Sequence, residues 1–273
     1  MTAESRVSPR PDYGLDAPPV VRNLIVADVV GLGLWSSVAA RLWSGVIRIP
    51  LGGTTVAIGV APPALSIGVV CAAMALWMVW TGRVGKVRER ERLLNTLTWS
   101  GDERVLDVGC GRGLMLLGAA KRLRDGRAVG VDLWRTEDLA GNTASALWAN
   151  AAAEGVADRV SVETADMRAL PFPDASFDVV VSRAAVHNLP VASDRRRAID
   201  EVARVLRPGG RVLISDIRHL ADYAGALREH GFEARVEGSP VSRVLLGAIT
   251  FGALRPGVLR AQRPAFVRRV LHG

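Results

Sequence analysis

Three aspartates and one glycine-rich run are the side chains best placed to hold a small charged ligand. The run Val105–Gly113 reads VLDVGCGRG, which places Asp107, Gly109, Gly111 and Gly113 at alternate positions. Glycines there let backbone amides approach a ligand closely, in conformations that other residues resist. Asp132 ends the next apolar run (AVGVD), where a carboxylate accepts from both hydroxyls of a ribose. Asp166 lies in the segment TADMR and is either an acceptor for an exocyclic amino group, with Met167 against the ring, or a turn residue.

The charge of this constellation selects among ligands. A dinucleotide fingerprint is G-x-G-x-x-G, and this loop is G-x-G-x-G. Asp107 before the loop repels a pyrophosphate and favours a cation. S-adenosylmethionine, with an ammonium and a sulfonium, satisfies that sign. An NAD(P)-dependent oxidoreductase on a similar sheet is the alternative that spacing and charge disfavour.

Alternating strands and helices must position these residues. Strands are expected at 104–108, 128–132, 160–163, 177–182, 211–215, 233–237 and 258–261. Helices are expected at 114–123, 139–154, 194–206 and 223–230. Such alternation predicts an α/β domain with a parallel sheet, helices on both faces and ligand at the carboxyl ends of the central strands.

Four segments in order, VLDVGCGRG (105–113), GVDLW (130–134), ADMRALPFPDASFDVVVSRAAVHNL (165–189) and EVARVLRPGGRVLISD (201–216), resemble the Rossmann-like class I S-adenosylmethionine-dependent methyltransferases of the UbiE/small-molecule type. The resemblance covers about residues 92–265. It implies a seven-stranded, mostly parallel sheet whose last strand is antiparallel, and S-adenosyl-L-methionine as cofactor. It implies that Asp107, Gly109, Gly111 and Gly113 cradle the methionine part, with Cys110 a small packing residue inside that loop. Asp132 would hold the ribose, and Leu133, Asp166 and Met167 would frame the adenine. Ser182 and Arg183 would end the fourth strand beside the methyl group, and 206–210 (LRPGG) would be an architectural turn.

Methyl transfer from a sulfonium is an in-line displacement, so positioning supplies most of the catalysis. A general base is required only if the acceptor must lose a proton. His187, five residues past the fourth strand, is the candidate base; its other reading is a packing histidine. Arg183 either orients an acidic acceptor or pairs with Asp178 or Asp166. Asn142 either covers the cofactor or caps a helix.

The first third of the chain has no counterpart in that family. Residues 49–82 carry no charged side chain, and Leu65–Trp80 is continuously apolar. From about Ala61 it provides the roughly 20 residues that cross a hydrocarbon core. Arg83, Lys86, Arg88, Arg90 and Arg92 follow, the expected cytoplasmic flank. A second apolar stretch, 24–47, is interrupted by Asp28 and Arg41, both expected near its ends.

The expected organisation is a disordered tail (1–19), a two-helix membrane anchor (20–82), a linker helix (83–97) and a methyltransferase domain (98–273). The enzyme is expected on the cytoplasmic membrane with its catalytic domain facing the cytosol. It would methylate a small, lipophilic acceptor such as a quinone, isoprenoid or lipid. A non-catalytic S-adenosylmethionine-binding membrane protein is the other reading. Neither a metal site nor nucleic-acid binding is expected: the net charge of +8 is spread along the chain and there are only two cysteines.

Overall fold

The computed structural model describes residues 10–15, 18–80, 82, 85–137, 139, 141–238 and 256–265. Contacts divide the chain into two compact units, Gly14–Lys86 with Glu137–Ala140, and the remainder.

The larger unit contains helix α3 (Lys86–Leu94) from Val87 onward and then strands and helices in alternation. These are β3 (Arg104–Val108), α4 (Leu114–Ala120), β4 (Arg127–Asp132), α5 (Ala144–Glu154), β5 (Val160–Thr164), β6 (Phe177–Arg183), α6 (Ala192–Val205), β7 (Leu206–Asp216), α7 (Leu220–Glu229), β8 (Glu233–Glu237) and β9 (Gly257–Gln262). The seven strands lie in the order β5-β4-β3-β6-β7-β9-β8. All neighbours are parallel except β9, which is antiparallel to both β7 and β8.

The central strands hold consecutive apolar residues because both faces are buried. Leu106, Val108, Val180, Val212 and Ile214 face the layer containing Ile199, Val202, Tyr223 and Leu227 of α6 and α7. Their alternates Val105, Val179, Val181 and Leu213 face Leu94, Met115, Leu116 and Leu147 of α3, α4 and α5. The period of two along each strand therefore places helices on both sides. β3 lies beside β6, where the strand order reverses, and its carboxyl end carries the glycine loop.

Two boundaries differ most from expectation. The turn sequence LRPGG is incorporated into β7, which starts directly after α6 at Leu206, and Gly209 takes φ +80° within it. Helix α5 starts at Ala144, not 139, because Thr143 is its N-cap and accepts from the Ala146 amide at 3.2 Å. Asn142 is thus not a helix cap.

The smaller unit is a helix pair with a β-hairpin between its members: α1 (Pro18–Ala39), β1 (Val46–Leu51), β2 (Thr54–Gly59) and α2 (Ala61–Trp80). The hairpin corrects the expectation of a span reaching residue 47. Gly52 and Gly53, at φ +50° and +92°, form the two-residue turn between Leu51 and Thr54 that β-branched flanks favour. A second correction concerns Asp28. Helix α1 starts at Pro18, so Asp28 lies in its middle rather than near an end, and its Oδ1 is buried without a hydrogen-bond partner among the described residues.

The two helices meet through small residues. A Cβ at Gly31 would lie 2.6 Å from the Ala64 carbonyl oxygen and 2.9 Å from the Gly68 nitrogen. That is the close backbone approach typical of helix pairs in lipid. Gly31→Leu is therefore expected to separate the pair, read as loss of a cysteine crosslink engineered between α1 and α2; an undiminished crosslink would refute the contact.

Candidate active site

The glycine loop leaves β3 and returns as α4. Gly109, Gly111 and Gly113 have φ of +71°, +50° and +88°, a region in which a side chain is strained. Gly109 is further constrained by space, since a Cβ there would lie 2.3 Å from the Ala185 Cβ and 3.6 Å from the Met167 Cε. Met167 and Ala185 thus border the loop.

Asp132, at the end of β4, is held from three sides. Its Oδ2 accepts from the Gly111 amide at 2.8 Å, and its Oδ1 accepts from the Trp134 amide at 2.6 Å and from Asn142 Nδ2 at 3.1 Å. Asn142 also donates to the Arg135 carbonyl at 3.0 Å, while its own Oδ1 is buried with no partner among the described residues. Trp134 sits at φ +57° and donates from Nε1 to Thr164 Oγ1 at 2.8 Å. Leu133, between Asp132 and Trp134, is exposed. Asn142 and Trp134 have structural roles around Asp132 that spacing alone did not assign. The signal was present as a polar residue in the long loop before α5.

Asp107 faces α4 under the loop. Its Oδ2 accepts from the Leu116 amide at 2.8 Å, and Oδ1 is buried without a partner among the described residues. Burial, with Asp132 adding repulsion, pushes its carboxyl from the ordinary 3.8 up to about 8. A carboxyl raised on folding contributes stability that is complete below the unfolded value and lost as pH rises through the folded one. The ligand-free protein is therefore expected to lose thermal stability between about pH 4 and 8. Asp107→Asn is expected to flatten that slope in a melting series across the range, and an unchanged slope would exclude Asp107 as its source.

Cys110 packs beneath the loop, where a Cβ at Gly130 would meet its Sγ at 2.8 Å, and burial holds its thiol protonated. Ser182 is also buried, and its hydroxyl donates to the Val108 carbonyl at 2.7 Å. It ties β6 to β3 at their carboxyl ends, so its hydroxyl is engaged within the sheet and not directed to a methyl group.

Asp166 is engaged by Arg168, whose backbone amide donates to Oδ1 at 2.9 Å and whose NH2 donates to Oδ2 at 2.6 Å. These bonds hold its carboxyl below the usual range. Arg168 also reaches Asp194 at 2.7 Å. Arg183 pairs with Glu89 of α3 at 2.7 Å, whereas Asp178 pairs with Arg207 at 2.8 Å. Both partners expected for Arg183 are thus taken by other arginines.

On the other side of the β6 end, His187 lies in a short turn with Nδ1 2.5 Å from Asp216 Oδ1. Asp216 ends β7, its side chain is inaccessible, and it also accepts from the amides of His187 at 3.2 Å and Ile217 at 2.7 Å. The spacing of 29 residues hid this pair from sequence reading. The Tyr223 hydroxyl, buried without a partner among the described residues, lies near enough for burial and then Asp216 to push its pKa up.

This strand order, with a left-handed glycine loop at the reversal and a carboxylate closing the adjacent strand, defines a class I methyltransferase fold. The residues fit S-adenosylmethionine: Gly109 has no room for a Cβ, and Asn142 Oδ1 is a buried acceptor beside the Asp132 carboxylate. Residues 106–214 match the family model described as "Methyltransferase domain". The chain is similar to 27-O-demethylrifamycin SV methyltransferase of Amycolatopsis mediterranei, with 36% identity covering 50% of this chain and 47% of the relative. It is also similar to the ubiquinone/menaquinone biosynthesis C-methyltransferase UbiE of Geobacter sulfurreducens, with 34% identity covering 46% of each.

Among solved structures, the YcgJ protein of Bacillus subtilis superposes with a TM-score of 0.51 at 18% identity, covering 66% of this chain and 100% of that one. Geranyl diphosphate C-methyltransferase from Streptomyces coelicolor, determined with S-adenosyl-L-homocysteine, gives a TM-score of 0.51 at 17% identity, covering 65% and 79%. The chain spans about half the length of the curated relatives it matches. Residues 106–214 thus match a methyltransferase domain, and the larger unit has the fold of class I methyltransferases.

Proposed function

We propose that the protein transfers a methyl group from S-adenosylmethionine to a small lipophilic acceptor at the cytoplasmic membrane, with the catalytic domain facing the cytosol. The observation that carries this reading is the exposure of the two apolar helices. α1 and α2 are 22 and 20 residues long, with only 11% and 17% of their apolar windows buried. Helices of a soluble core are mostly buried, whereas Ile25, Val29, Leu34, Val69, Leu76 and Trp77 are exposed here. The basic flank after α2 orients the pair. Relatives named for quinone biosynthesis and for tocopherol O-methylation support an isoprenoid-type acceptor.

In this reading Asp107, Gly109, Cys110, Gly111 and Gly113 form the methionine cradle, and Cys110 acts there through its backbone and packing. Asp132 takes the ribose, and Leu133, Asp166 and Met167 border the adenine. Ser182, through its backbone, and Arg183 form the strand end facing the acceptor. The bound cofactor supplies an electrophilic methyl carbon on a positively charged sulfur. The protein's task is then to hold the acceptor in line and, where that acceptor is a hydroxyl or an acidic carbon, to remove its proton. His187 is oriented for this, because Asp216 occupies its Nδ1 side and leaves Nε2 to take the proton.

The test is mass spectrometry of membrane lipids and quinones from cells with and without the gene, combined with fractionation. A species gaining one methyl group only when the gene is present identifies the acceptor. A protein found in the soluble fraction, with the shift confined to water-soluble metabolites, would sink the membrane reading. A protein that binds the cofactor and methylates nothing would favour a non-catalytic role.

A further inference from the structure

The outer side of the glycine loop is tied to residues that the methyl-transfer reading does not use. Arg112 lies between Gly111 and Gly113, and its carbonyl accepts from Asn150 Nδ2 at 2.9 Å. Asn150 is buried on α5, and the same Nδ2 donates to the Asp12 carbonyl at 2.8 Å while Oδ1 accepts from the Asp12 amide at 2.8 Å. An amide side chain thus pairs with Asp12 as a neighbouring strand would, and its remaining hydrogen holds the loop. The Arg112 guanidinium closes the circuit on the Asp12 carboxylate at 2.9 Å.

The next residue fixes the strap in place. Tyr13 is buried, contrary to the expectation of a disordered tail through residue 19, and its hydroxyl donates to Glu154 and accepts from Arg90 NH1 at 2.9 Å. Glu154 pairs with the same Arg90 nitrogen at 2.8 Å and contacts Lys121. Burial alone would raise the Glu154 carboxyl, but the bonds from Arg90 and Lys121 outweigh it and hold the value at about 2. The Glu154 carboxylate is therefore charged and paired, and it anchors the strap at Tyr13 and helix α3 at Arg90. These are the two segments through which the chain runs to and from the apolar helices.

We infer that Asn150 is a positioning residue for the cofactor loop, clamping Arg112 between α5 and an Asp12–Tyr13 strap that completes the cofactor site. The inference rests on the reading that this loop holds S-adenosylmethionine. Three left-handed glycines give the loop alternatives once it is untied, and a ligand must then bear the entropy of ordering them. A clamp seated outside the ligand thereby raises affinity without touching it. It also makes the loop sensitive to the segment that leads into α1.

Two variants test it in the full-length protein. Asn150→Asp keeps the acceptor for the Asp12 amide and loses both donations, and Asp12→Pro removes that amide from the strap without altering α5. Each is expected to raise the S-adenosylmethionine Kd about tenfold, the scale of one to two buried hydrogen bonds. In the ligand-free protein, amides 109–113 should exchange hydrogen faster while those of β3 and β6 keep their protection. Asn150→Gln, which retains both donors, should restore part of the affinity. Unchanged loop exchange and Kd in both variants would overturn the clamp, as would a uniform loss of protection in the sheet with Kd unaltered. Wild-type protein that binds no S-adenosylmethionine would instead overturn the underlying reading of the site, which loop exchange measures independently.

Discussion

Replacing His187 by Ala is expected to lower the rate of methyl incorporation from labelled cofactor into a membrane extract by about 10²–10⁴-fold, the usual contribution of a positioned base. Cofactor affinity should stay within about twofold, because only the acceptor's proton is involved. The expectation comes from the buried Asp216, which contacts Nδ1 at 2.5 Å and is itself fixed by the amides of His187 and Ile217. Asp216→Asn should give a smaller loss, since an amide still orients the ring but no longer stabilises its protonated form. Added imidazole should recover part of the His187→Ala rate. A His187→Ala enzyme with the wild-type rate would mean that alignment alone drives the transfer, as an acceptor with no proton to lose allows.

Asp132→Ala is expected to raise the S-adenosylmethionine Kd by about 100-fold, close to the loss of two charge-assisted hydrogen bonds at about 1.5 kcal/mol each. The carboxylate is presented by the Gly111 amide, the Trp134 amide and Asn142, so it needs no rearrangement to meet a pair of hydroxyls. Its removal also unties Gly111 from β4, so calorimetry should be paired with a melting curve. Asn142→Ala should weaken binding less, by loosening Asp132 without deleting it. Retention of wild-type affinity in Asp132→Ala would place the ribose elsewhere and reopen the assignment of the whole loop.

The catalytic fold was legible because its signals are local and repeated. Each central strand is built on a short apolar run, and the interval to the next leaves room for one helix. The observed strands fall within a few residues of the expected ones except where β7 extends back to Leu206. The glycine loop was legible for the same reason, as alternate glycines after a strand tolerate few alternatives. The hairpin at 46–59 was missed although Gly52-Gly53 between β-branched runs is a turn signal, because the surrounding hydropathy pointed to a membrane span. Asp28 was placed near a helix end because Pro18-Pro19 was not read as the start of α1.

The amino-acid sequence by itself determined the class of fold, the glycine loop and the carboxylates Asp107 and Asp132 bonded beside it. Periodicity and residue type act over fewer than ten neighbours, and that range suffices for them. Only the tertiary structure decided what each polar group faces. It turned Ser182 into a strand tie, gave Arg183 to Glu89, joined His187 to Asp216 and brought Asp12 across 138 residues to Asn150. Such pairs are chosen by which strand ends lie side by side in the sheet, and no local pattern in the chain encodes that adjacency.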